Sequence, residues 1–66
     1  MELRFLGSTS EHGDCPTLHE TETGDIVVQG DELTDPDGIA QLLHLKTGET
    51  AVVIPRALLT RFAPKE

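Results

Sequence analysis

Three residues in the first third of the chain have the chemistry to do more than fold. His12, Cys15 and His19 stand in an H-x2-C-x3-H spacing beside Asp14. Neutral imidazole and thiolate are good zinc ligands, and two or three of these side chains could surround one ion. A structural zinc site takes four ligands, so the set would need Asp14 or the distant His44 to close it, and ordinary surface histidines are the simpler reading. Cys15 with His19 also has the composition of a nucleophile and its base. Against that, Asp14, Glu20 and Glu22 surround the thiol with negative charge, which disfavours the thiolate. No Gly-rich phosphate or oxyanion loop accompanies the pair. A buried or half-buried structural cysteine is expected at position 15.

The carboxylates form the second candidate set. Asp31, Asp35 and Asp37 loosely follow a calcium-loop order but lack its full alternation and closing Glu. Asp35 reads instead as a helix cap, with Pro36 after it. Acid is also unevenly distributed. The 66 residues carry a formal net charge of −7. Residues through Leu45 hold a net −9, and those from Lys46 onward a net +2. That balance disfavours direct nucleic-acid binding, where phosphate contacts supply most non-specific affinity. It suits a protein partner with a basic surface, since opposite fields steer encounter. Solubility alone is the plainer reading of the same charge. The acids expected in exposed turns, and so expected to meet such a partner, are Glu20, Glu22 and Asp25, with Asp31 and Glu32 before the Asp-Pro segment. Arg56, Arg61 and Lys65 sit on or after a short terminal helix, and Arg61 and Lys65 are expected to complement its negative end.

The elements that must position these residues follow from periodicity. Leu3 to Leu6 predicts a first strand, with Leu3 and Phe5 on one face. Residues 7–14 have loop composition. Cys15 to Glu20 and Asp25 to Gln29 flank Thr21-Glu22-Thr23-Gly24, predicting a β-hairpin. Thr34-Asp35-Pro36-Asp37 predicts a helix start, and Ile39, Leu42 and Leu43 recur at helical spacing. Lys46-Thr47-Gly48 predicts the turn that ends it. Thr50 to Ile54 predicts a strand that Pro55 stops. Pro55 is then expected as the first residue of a helix bearing Leu58, Leu59 and Phe62. Val52 and Ile54, or Val53, are expected to point inward beside Leu58 and Phe62.

One small domain follows, of α+β class: a mainly antiparallel sheet of three to four strands with one or two short helices on one face. Its core would be small enough that association, with a partner or a second copy, is a natural source of stability. The chain has no Trp and no Tyr, so the usual aromatic anchors of an interface or a base-stacking platform are missing. One cysteine cannot form an intramolecular disulfide, no apolar run is long enough to span a membrane, and Met1-Glu2-Leu3-Arg4 is unlike a signal peptide. The cytoplasm is the expected compartment.

The order of four short motifs carries a resemblance: Gly13-Asp14-Cys15-Pro16, then Gly24 to Val28, then Asp35-Pro36-Asp37-Gly38, then Val52 to Phe62. In this order the chain resembles small acidic actinobacterial proteins similar to the partners encoded beside helix-turn-helix regulators. It departs from their commonest pattern in having no Trp in the terminal helix and an added apolar stretch, Ile39 to Leu45. The resemblance implies a non-enzymatic accessory protein that binds such a regulator, with no catalytic residue and no cofactor. The competing expectation is a metal-binding or redox-responsive module built on His12, Cys15 and His19.

Overall fold

The computed structural model describes residues 1–12 and 14–65. Strands β1 (Leu3–Ser8), β2 (Thr17–Thr21) and β3 (Ile26–Gln29) form an antiparallel sheet in the order β1-β2-β3. Strands β4 (Asp31–Glu32) and β5 (Val52–Val53) form a separate two-stranded ribbon. Helix α1 (Pro36–Ala40) lies between them in sequence, and α2 (Arg56–Phe62) closes the chain. The expected α+β architecture is present, with the strands divided between two sheets.

Local chemistry accounts for most of these elements. The β2–β3 hairpin turns at Gly24, whose φ of 90° lies in the left-handed region that a residue without Cβ enters freely. Thr21 ties the turn: its backbone N–H donates to the Asp25 carbonyl at 2.8 Å and its hydroxyl accepts from the Asp25 N–H at 3.1 Å. At the start of α1, Asp35 caps as expected, its Oδ2 accepting from the Gly38 N–H at 2.8 Å. Pro36 follows as the first helical residue.

That helix ends at Ala40, short of the span expected from Ile39, Leu42 and Leu43, and none of its residues is buried. Leu43 is exposed. Without an apolar surface to dock against, five residues sustain little more than one hydrogen-bonded turn, because helix nucleation is unfavourable.

The core is centred on the first sheet. Helix α2 packs against β1 and β2, not against the strand that leads into it. Leu18 of β2 and Leu58 of α2 are both fully buried, while Val52 and Val53 are exposed. Two residues were expected differently. Val52 and Ile54, or Val53 alone, are expected to face inward beside the helix; Val52 and Val53 instead form an exposed ribbon with Glu32 and Asp31. Ile54 is half-buried, its Cγ2 lying where a side chain on Gly30 would project. Pro55 is the N-cap of α2 rather than its first helical residue, with extended backbone (φ −63°, ψ 141°). Leu59 is also exposed, so the buried face of α2 is Leu58 together with half-buried Phe62.

The register explains where α2 sits. Gly7 pairs with Leu18, which pairs with Val28, so these three residues lie on one face of the sheet. An ideal Cβ on Gly7 would overlap the Phe62 ring, with the ring Cε1 only 2.6 Å from it. Leu3, Phe5, His19 and Val27 lie on the opposite face, and Leu3 and Phe5 are exposed there.

Candidate functional site

The acids expected to meet a partner do not form one patch. Glu22 and Asp25 are exposed at the hairpin turn. Glu22 Oε2 accepts from the Glu2 N–H at 2.9 Å, and Asp25 Oδ2 accepts from the Thr23 hydroxyl at 3.3 Å. Asp31 and Glu32 are exposed on β4. The four residues of β3 separate the two groups, about 13 Å of extended chain at ~3.3 Å per residue.

Glu20 was expected in an exposed turn and is corrected: it lies within β2, half-buried, opposite Arg4 of β1. Arg4 Nη2 donates to Glu20 Oε1, with the Arg4 side chain 71% exposed and that of Glu20 22% exposed. Residues opposite each other in an antiparallel pair bring their side chains together on one face, so opposite charges there attract. Glu20 is therefore already paired within the chain, and among the described residues the neighbouring Glu2 and Glu22 have no ion-pair partner.

Those residues line an open notch of about 500 Å³ bounded by Glu2, Leu3, Arg4, Glu20, Thr21 and Glu22. Three carboxylates around one guanidinium give the notch a net negative field, suited to an ammonium or guanidinium group of a partner. Glu2 was missed at the level of sequence because it precedes the first strand. The signal that could have found it is the cross-strand register, which sets Arg4 against Glu20 and so frees Glu2.

The His-Cys-His set is dispersed. His12 is exposed in the β1–β2 connection. Cys15 is exposed in the same connection, ahead of the strand it was expected to begin, and was expected to be buried or half-buried. His19 alone is held in the fold: half-buried on β2, its ring meets Phe5 edge-on at 5.5 Å between centroids. His19 Nδ1 is buried and has no hydrogen-bond partner among the described residues. His44 lies far along the chain in an exposed segment with φ 50°. Among the described residues no three His, Cys, Asp or Glu side chains gather as a metal ion would require. Arg61 stands in the last turn of α2 as expected, and its guanidinium also lies over the Phe62 ring, 4.8 Å from its centroid.

No described helix is long and apolar enough to cross a membrane. In comparisons with known proteins, no family model, curated protein or solved structure matches the chain.

Proposed function

We propose that this chain is a small acidic accessory protein that acts by binding another protein, a cytoplasmic helix-turn-helix regulator by the motif order above. The observation that carries the reading is the placement of free carboxylates. Glu22 and Asp25 at the hairpin turn, and Asp31 and Glu32 on the β4–β5 ribbon, project from small exposed elements. Side chains placed there keep their hydration until a partner arrives, so their charge acts at long range and raises the encounter rate with a basic surface. The notch beside Glu2 and Glu22 adds a concave feature able to receive one cationic side chain. On this reading the chain makes no direct contact with nucleic acid and carries out no reaction of its own.

The test uses as the titrant in calorimetry a helix-turn-helix regulator recovered with this chain by affinity pull-down from its native host. Salt-sensitive binding that weakens on joint reversal of Glu22 and Asp25 to Lys supports the reading. Binding that ignores both salt and the reversal, or no binding to that regulator, refutes it.

A further inference from the structure

Strand β1 is an edge strand with half of its backbone hydrogen-bonding groups directed away from the sheet. The direction follows from the hairpin. The Thr21 N–H donates to the Asp25 carbonyl, and the Thr21 carbonyl accepts from the Gly24 N–H at 3.0 Å, so Thr21 spends both groups on the β3 side. Its partner Leu3 therefore turns its N–H and C=O outward, since backbone groups alternate sides along a strand. Arg4 faces inward toward Glu20, and Phe5 faces outward again. The Glu2 N–H obeys the same alternation, donating inward to Glu22.

The exposed side chains follow a matching pattern. Met1, Leu3 and Phe5 are 92%, 47% and 55% exposed. The molecule as a whole leaves more surface open than a compact chain of its mass. Its accessible area is 5392 Å², against about 4,100 Å² for a compact monomer of 7.2 kDa. The Cα radius of gyration, 13.1 Å, likewise exceeds the ~11 Å of a compact chain this long.

We propose that β1 pairs with β1 of a second copy, antiparallel about a two-fold axis through Leu3, joining the two three-stranded sheets into one of six strands. The register is selected by charge. Centring the axis on Arg4 would set two arginines face to face. Centring it on Phe5 would run the pairing across the irregularity between Phe5 and Gly7. Centring it on Leu3 sets each Arg4 opposite Glu2 of the second copy and each Phe5 opposite Met1. Leu3 then faces its own counterpart, and the outward backbone groups of Leu3 and Phe5 find partners. The irregularity at Phe5/Gly7 ends the straight part of the edge, which limits pairing to the segment before it. The net charge of −7 on each copy opposes association. At physiological salt, interactions beyond about 8 Å are largely screened, whereas directly opposed cross-strand side chains lie about 5 Å apart at Cβ.

This pairing uses Glu2, Arg4 and the β1 backbone, so it competes with a partner for the notch beside Glu2 and Glu22, but it stands or falls separately from the exposed carboxylates of Glu22, Asp25, Asp31 and Glu32. The test is sedimentation equilibrium on the wild type and on two single variants, Glu2→Arg and Arg4→Glu, each checked for folding by circular dichroism. Alone, each variant sets like charges opposite one another twice per dimer, and its dimerisation weakens about tenfold. Mixed, the two variants restore opposite charges at all the pairs and form a heterodimer. A second measurement needs no variant: hydrogen exchange at the Leu3 and Phe5 amides slows as the wild-type protein is concentrated, while exchange at Arg4, bonded within its own sheet, does not change. A wild type that stays monomeric, a dimer insensitive to both substitutions, or Leu3 and Phe5 amides whose exchange ignores concentration overturns the proposal.

Discussion

The Phe62 ring occupies the space that a side chain on Gly7 would need, fixing the end of α2 against the β1 irregularity. Gly7 is buried and Phe62 half-buried, so this contact joins the last helix to the first strand across nearly the whole sequence. Gly7→Ala is expected to destabilise the fold by about 1–3 kcal/mol, the usual cost of overpacking. Phe62→Ala is expected to cost less than the ~3–5 kcal/mol of a fully buried aromatic. Thermal melts of both variants and of their combination check the contact: the double variant should lose less than the two single losses added together.

Leu18→Ala and Leu58→Ala should each cost about 2–5 kcal/mol, since both side chains are fully buried. Val53→Thr, on the exposed ribbon, should stay within about 0.5 kcal/mol. Urea titrations would separate these. A larger loss at Val53 than at Leu18 would place the core at the ribbon after all.

Asp35→Ala removes the acceptor of the Gly38 N–H and is expected to weaken α1 by about 0.5–2 kcal/mol. Because α1 buries none of its residues, the loss should appear as local fraying rather than a lower melting temperature. Faster amide exchange at Gly38 and Ile39, with an unchanged global transition, is the expected pair of results.

Removal of divalent metal should leave the fold intact. His12 and Cys15 are exposed in the β1–β2 connection, and His19 is turned toward Phe5. The far-ultraviolet circular dichroism spectrum in excess chelator should match that without it. A loss of signal restored by zinc would give the H-x2-C-x3-H segment a structural role.

Glu20→Lys should behave differently from Glu22→Lys. The first sets two cations opposite each other on β1 and β2, removing the Arg4 pair; exposed pairs of this kind contribute about 0–1 kcal/mol. The second changes an exposed turn residue. Equilibrium unfolding should therefore register the Glu20 substitution more strongly, while association with a basic partner should register Glu22.

What was legible in the sequence was the chemistry of neighbours. The Asp35–Pro36 cap, the Gly24 turn and the hairpin around it all depend on residues within a few positions of one another. Dihedral preferences and side-chain-to-backbone bonds act at that range, so each could be read directly. The pairing of distant segments could not. Alternation showed that Leu3 and Phe5 share a face, but not which face of the sheet receives α2. The apolar run Ala51 to Ile54 looked like core because four such residues are contiguous, yet the two-stranded ribbon it enters leaves Val52 and Val53 exposed. Leu18, flanked by Thr17 and His19, gave little local signal and is fully buried because the register sets it beside Gly7, where the missing side chain admits the helix. Register likewise decided the charges: Glu20 and Glu22 look alike in sequence, and only the strand opposite determines that Glu20 meets Arg4 while Glu22 stays exposed. Burial depends on contacts between segments far apart in the chain, and those are fixed when β1, β2 and α2 come together.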